Sequence, residues 1–160
     1  MASAVYWVTF AAAAFVAQLA IHDPAIFEPP AQVAHDRAFV TETPQQLAGY
    51  FKTYTNLVAN RLLSRYIGKW YAIAGNVQDV QDFSTVFGND LPAGLKNQSS
   101  VALERRSSGP FVSLVFQDRW NSSIENLNKK DAIRAYCKIK SINSIMMQLN
   151  ECELVSVNGR

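Results

Sequence analysis

The feature that most constrains this chain is an alternation of apolar and polar residues with a period of two, which recurs from Lys69 to Leu154. Successive side chains of a strand point to opposite faces, so this pattern predicts strands that are buried on one face only. The clearest case is the segment Ala132–Lys140, where every second residue is apolar. We expect one set of its side chains to face the core (Ile133, Ala135, Cys137, Ile139) and the other to face outward (Arg134, Tyr136, Lys138, Lys140).

The pattern predicts five strands, with a short helical stretch, Ser122–Leu127, between the third and the fourth. Three strands, one helix and a two-stranded hairpin are the order of an OB barrel. We therefore predict a mainly β protein built on a five-stranded OB-type Greek-key barrel, with a generic five-stranded barrel or a small sandwich as the alternative. The predicted strands are Lys69–Val80, Ser99–Arg106, Phe111–Gln117, Ala132–Lys140 and Ile145–Val155.

Two irregularities in the strand pattern predict local distortion. Gly75 lies in the middle of the long first strand, which indicates a bulge or a sharp bend of the kind that barrel closure needs. In the fifth strand the apolar positions skip one residue between Leu149 and Cys152, as a bulge would produce.

Four segments precede or form the barrel: an apolar helix over 1–21, a proline-containing linker over 22–42, an amphipathic helix over 43–64 and the barrel over 65–160. Thr43 at the N-cap, Pro44 at the first helical position and Gln46 three residues after the cap predict a capping box. We expect the aromatic stripe of this helix (Tyr50, Phe51, Tyr54) to contact the core.

The segment Ala4–Ile21 has no charged residue and, as a helix, would span about 27 Å, close to the apolar thickness of a bilayer. We predict that residues 4–21 anchor the chain in a membrane. A cleaved signal peptide and a helix buried in the fold are the alternatives. No basic residue lies close to either end, which favours a body outside the cytoplasm; an exported soluble protein or a cytoplasmic one is the alternative.

Charge and motifs exclude several classes of protein. The net charge is only +2, and Lys and Arg are dispersed, whereas a dedicated nucleic-acid binder concentrates them on one face. The sequence has no phosphate-binding loop, dinucleotide fingerprint, serine-hydrolase motif or metal-ligand spacing. We therefore expect no enzyme, no catalytic residues, no metal and no cofactor.

Three short runs resemble the tRNA_anti-like OB-fold family. The run Tyr66–Lys69, followed by Gly75 and Val77, is similar to the opening strand of that family, and Leu149–Leu154 is similar to its closing strand. Lys130-Asp131 stands where such proteins usually carry Gly-Asp. The resemblance covers about Tyr66 to Val157 and implies an OB fold, with single-stranded nucleic acid as the ligand.

Candidate ligand-binding residues follow from the strands that OB barrels use. Around the second and third strands these are Arg106, Phe111 and Trp120. On the fourth strand the candidates form a basic row that includes one aromatic residue (Arg134, Tyr136, Lys138, Lys140). A solvated barrel face is the favoured explanation of this row, because such alternation is the default for a half-exposed strand. The leading hypothesis is a membrane-tethered binding domain for a protein or other ligand; the alternative is a single-stranded nucleic-acid binder.

The two cysteines, Cys137 and Cys152, lie on neighbouring strands of the predicted hairpin, and both face the core. They are either a disulfide, which suits a body outside the cytoplasm, or two small buried apolar side chains.

Overall fold

The computed structural model of the chain describes residues 23–82, 98–105 and 109–160. The predicted apolar helix over 1–21 and the candidate Arg106 lie outside these residues. Along the described chain the elements are β1 (Ala25–Ile26), α1 (Ala31–Asp36), α2 (Pro44–Thr53), α3 (Asn56–Leu63), β2 (Trp70–Asp82), β3 (Ser99–Leu103), β4 (Phe111–Phe116), α4 (Asn121–Glu125), β5 (Ala132–Ile142) and β6 (Met146–Val157).

Five of these strands form a closed barrel, as predicted. The strand β2 pairs with β5 over Trp70–Asn76 and then with β3 over Val77–Asp82, and the ring continues through β4 and β6 back to β5. All neighbouring pairs are antiparallel except β4 and β6, which are parallel. This order is consistent with an OB-like fold.

The barrel interior is filled by the apolar residues that alternate along the strands. The four residues of β5 that were predicted to face the core are all buried, and they pack with inward residues of every other barrel strand. Leu47 and Leu63 from the helices extend this core at one end, and Ile124 of α4 extends it at the other. The largest fully buried side chains include Tyr71, Phe116, Ile73, Leu103, Leu114, Met147 and Leu149.

Both predicted irregularities mark places where the strands deform. The bulge predicted near Cys152 is present: the pairing of β5 with β6 shifts between Tyr136 and Lys138, and Glu151 takes a left-handed φ of 49°. In β2 the register shift falls between Val77 and Asp79, just after Gly75. A Cβ at Gly75 would lie 3.0 Å from Leu103 Cδ1, so this glycine admits a close approach of the neighbouring strand.

The helical region differs from the prediction in two respects, the continuity of the helix and the position of Tyr54. Of the aromatic stripe that was expected to contact the core, Tyr50 and Phe51 pack against it, whereas Tyr54 is 46% exposed. The capping box forms, with Gln46 N donating to Thr43 Oγ1 and Thr43 N donating to Gln46 Oε1. However, the single helix predicted over 43–64 is two helices, because Tyr54 and Thr55 are extended. The break allows α2 to bury Leu47 and Ala48, while α3 buries Ala59 and Leu63.

The turn before β5 forms without a glycine at position 130, although Lys130 takes a left-handed conformation. Lys130 has a φ of 74°, and its backbone N–H donates to the Val77 carbonyl at 2.7 Å. A residue with a Cβ is disfavoured in this conformation, typically by about 1 kcal/mol relative to glycine.

We predict that Lys130→Gly raises the free energy of unfolding by about 0.5–1 kcal/mol. Lys129→Gly is the matched control, because the φ of Lys129 is not positive and the substitution there only adds freedom to the unfolded chain. Urea unfolding of both variants measures the difference. Equal destabilisation by the two substitutions would contradict the conformation of Lys130.

The structure joins Cys137 and Cys152 by a disulfide within the barrel core, where both residues are fully buried. The bulge at Glu151 brings the two half-cystines opposite each other, with their Cα atoms 4.1 Å apart. The bond therefore staples β5 to β6 across the hairpin.

We predict that the double variant Cys137→Ala/Cys152→Ala loses about 3 kcal/mol of unfolding free energy, the loss expected when a loop of about fifteen residues is no longer closed. Denaturant unfolding with and without a thiol reductant is the measurement. The reductant should destabilise the native protein and leave the double variant unchanged; an effect on both would assign the loss to something other than the disulfide.

Candidate binding face

An exposed apolar cluster lies where β4 begins beside β6. Phe111 is the register partner of Met146, and its backbone N–H donates to the Ile145 carbonyl at 2.8 Å. The exposed fractions of Phe111, Ile145 and Met146 are 47%, 67% and 40%. We call these three residues the apolar cluster. In OB barrels, ligands contact the second and third strands and the loop between the last two, which correspond here to β3, β4 and residues 143–145.

A cation packs on the apolar cluster. The guanidinium of Arg105 lies over the Phe111 ring, 3.7 Å from its centroid, and donates through Nη1 to the Gly109 carbonyl at 2.7 Å. Stacking and this hydrogen bond fix the side chain while leaving other guanidinium N–H groups able to donate. The cluster is thus apolar with a positively charged border.

Small polar side chains continue the face away from the cluster. Ser100 on β3 and Ser113 on β4 approach to 3.3 Å between their hydroxyl oxygens, and Gln148 on β6 is the register partner of Ser113. The side chains of Ser100, Ser113 and Gln148 are uncharged, so this part of the face is polar without charge.

The basic row predicted on β5 does not form an open patch. Tyr136, predicted to face outward, is buried between two aromatic side chains of the preceding segment, with ring centroids 5.5 Å from Phe27 and 5.4 Å from Phe39. The prediction that Tyr136 offers a stacking surface to a ligand is therefore corrected: the chain itself supplies the rings that cover it.

The cations of the row also have partners within the protein. Lys138 Nζ lies 2.6 Å from Glu151 Oε2 and 5.4 Å from the centroid of the Trp70 ring. The Arg134 guanidinium lies 5.4 Å from the centroid of the Phe27 ring. Lys140 is exposed near the end of β5. The row therefore presents less free positive charge than its sequence indicates.

Residues 23–42, which were predicted to be a linker, cover the outer side of β5 at Tyr136. We call this segment the strap. Phe27 N donates to the Ala72 carbonyl, Val40 N donates to the Trp70 carbonyl, and β1 pairs with β2 at Ala74 and Ile73. The strap thereby occupies the edge of β2 that the barrel leaves unpaired.

An ion pair also connects the strap to β6. Arg37 donates to both carboxylate oxygens of Glu153, at 2.7 and 3.3 Å, and its guanidinium lies 4.0 Å from the centroid of the Trp70 ring. Arg119 Nη2 reaches the same carboxylate at 3.6 Å. A bidentate pair of this kind holds a defined geometry, unlike most surface ion pairs.

Trp120 lies apart from the apolar cluster. It ends the short 3-10 turn Asp118–Trp120, beyond the far end of β4 from Phe111. Its indole N–H is buried, with no hydrogen-bond acceptor among the described residues. The predicted candidates Phe111, Trp120 and the β5 row thus occupy three separate places rather than one site.

A pocket of about 390 Å³ lies between the strap and the start of β2, and Glu42, Arg65, Tyr66 and Lys69 contribute to its lining. Tyr66 Oη donates to Glu42 Oε1 at 2.5 Å and accepts from Arg65 at 2.8 Å. Burial and the hydrogen bond to Glu42 raise the pKa of Tyr66 to about 12, and the same hydrogen bond lowers the pKa of Glu42. A neutral tyrosine paired with an ionised carboxylate is a stable structural arrangement, with neither group set up as a base near neutral pH.

Among residues 23–82, 98–105 and 109–160, no group of histidine, cysteine and carboxylate side chains could hold a metal ion. Within the same ranges, no helix has the length and apolar character needed to cross a bilayer.

The fold defines the class of the protein: a closed five-stranded barrel with a candidate binding face on β4 and β6. Comparisons with protein-family models, with curated proteins and with solved structures found no match to this chain.

Sequence reasoning identified Phe111 and placed Arg105 near the predicted binding strands without making it a candidate, but it missed Ile145 and Met146. Ile145 and Met146 were assigned to the fifth strand, where Ile145 was expected to face inward, whereas β6 begins one residue later and leaves Ile145 in the turn. The available signal was the polar pair Asn143-Ser144 directly before them, since an apolar residue at the end of a hairpin turn is commonly exposed.

We predict that Arg37→Ala and Glu153→Ala, combined in a double-mutant cycle, show a coupling of about 1 kcal/mol in unfolding free energy, since both side chains are about three-quarters buried and bonded at two points. The Lys138–Glu151 pair is the control, because it is more exposed and makes a single contact, and we expect about half that coupling. No coupling between Arg37 and Glu153 would mean that the backbone hydrogen bonds and aromatic contacts of the strap hold it without help from this ion pair.

Proposed function

We propose that this protein is a non-enzymatic binding domain of the OB type that recognises a protein partner through the apolar cluster Phe111, Ile145 and Met146. The observation that supports this most strongly is the coincidence of two facts. Three large apolar side chains are exposed beside one another. Phe111 and Ile145 lie on the strand and in the loop that OB barrels use for ligands, and Met146 is the register partner of Phe111 on the adjacent β6.

The chemistry of the face indicates what kind of partner fits. An apolar side chain of the partner would contact Phe111 and Met146, and a carboxylate next to it would pair with the guanidinium of Arg105. The uncharged part of the face around Ser113 and Gln148 suits the backbone of a partner segment, because hydroxyl and amide groups both donate and accept hydrogen bonds.

Single-stranded nucleic acid is the second candidate, favoured by the stack of Arg105 on Phe111 and by the resemblance to the tRNA_anti-like family. One ring with one cation is a minimal platform for stacked bases. The contacts of Lys138 and Arg134 and the burial of Tyr136 weigh against it, because a strand that crossed β5 would meet few free cations.

We further propose that residues 4–21 tether the domain to a membrane, with its body outside the cytoplasm. The support is the uncharged apolar stretch in the sequence together with the disulfide between Cys137 and Cys152, since structural disulfides persist in oxidising compartments.

Site-specific photocrosslinking tests the binding face in cells that make the protein. We expect p-benzoylphenylalanine in place of Phe111, and separately in place of Met146, to give the same discrete protein adduct. The control position is Val155, which is similarly exposed at 42% but lies nine residues further along β6. An adduct of nucleic acid, destroyed by nuclease, would support the second candidate instead. Lipid adducts alone, or equal adducts from Val155, would overturn the proposed face.

A further inference from the structure

The helical pair α2–α3 presents a second exposed surface that the binding face does not use. On α3, Ala59 and Leu63 face the core, and the opposite side carries Leu57 and Arg61 one turn apart. Leu57 is 72% exposed, the largest value among the large apolar residues of the described chain. Val58, Tyr54 and Ile67 are exposed as well.

The charged residues in this part of the sequence are all positive. Between Pro44 and Gln78 the sequence contains Lys52, Arg61, Arg65 and Lys69 and no carboxylate. The four cations are exposed. The adjacent Glu42 is bonded to Tyr66 inside the neighbouring pocket. The helical surface is therefore apolar and cationic together.

Aromatic hydroxyls complete the pattern. The tilted rings of Tyr50 and Tyr54 lie with their centroids 6.1 Å apart, and Arg65 donates to the Tyr50 hydroxyl at 3.3 Å. Tyrosine and arginine side chains combine an apolar body with a polar end, which suits the boundary between lipid headgroups and acyl chains.

We propose that α2 and α3 bind the surface of an anionic lipid bilayer, with Leu57, Val58 and Tyr54 entering the headgroup region and Lys52, Arg61, Arg65 and Lys69 pairing with lipid phosphates. Amphipathic helices that lie on membranes carry this combination of exposed apolar residues and cations. The chain's own apolar segment over 4–21 is a weaker occupant of this surface, because an uncharged segment would leave the four cations without counter-charges.

The contact predicts a local signal that insertion of residues 4–21 would not produce. We would place tryptophan at Val58 and, as a matched control, at Val155, since the two valines are 41% and 42% exposed. Val155 lies on β6, nine residues after Met146 and outside the helical pair. Both full-length variants would be mixed with vesicles of phosphatidylglycerol and brominated phosphatidylcholine, and the fluorescence of the native protein would be subtracted.

We expect bromine to quench the tryptophan at position 58 at least threefold more strongly than that at position 155, with the excess lost on vesicles of phosphatidylcholine alone. In the Val58→Trp background, Arg61→Gln should weaken the contact of the helices with the bilayer, read as this excess quenching, about fivefold, and Lys129→Gln should leave the excess quenching unchanged. Equal quenching at the two positions, or quenching that persists without anionic lipid, would overturn the proposal. It would also be overturned if the tryptophan at position 58 were already shielded before vesicles are added, since residues 4–21 or a second protein copy would then cover the surface.

Discussion

The change of partner along β2 is the constraint on which the rest of the structure depends. Its first half pairs with β5 and its second half with β3, so one strand belongs to both sides of the ring. Gly75 lies at the change, where a side chain would press against Leu103. Closure in turn brings β4 beside β6 in parallel, and the apolar cluster exists only because those two strands meet.

The strap explains why a basic strand need not be a binding surface. A half-exposed strand with alternating cations and one tyrosine is ambiguous in sequence, since the same residues serve a ligand or a covering segment. Here Phe27 and Phe39 sandwich the tyrosine, and acidic or aromatic groups face the cations. These contacts resemble those of a ligand site because aromatic faces and carboxylates attract cations whichever molecule supplies them.

The barrel was accessible from sequence because period-two burial is a local signal. Each inward residue of β5 could be named, and the missing position between Leu149 and Cys152 foretold the bulge at Glu151. The break in the helix at Tyr54 was not accessible, because its apolar spacing continues through the break and only packing decides it. The burial of Tyr136 depends on its contact with Phe27, which lies more than a hundred residues away, and no local pattern encodes such a pairing.

The strap also covers a strand edge that would otherwise be open to pairing with other chains. The edge of β2 that it occupies would otherwise display unpaired carbonyl and amide groups at Ala72 and Trp70. Such an edge is a template on which other chains can add strands, and aggregation begins at sites of this kind. A molecule cut by a protease between α1 and Val40 would keep its barrel and its disulfide, and loss of β1 from the cut molecule would leave the edge of β2 at Ala72 open to strand addition by another chain.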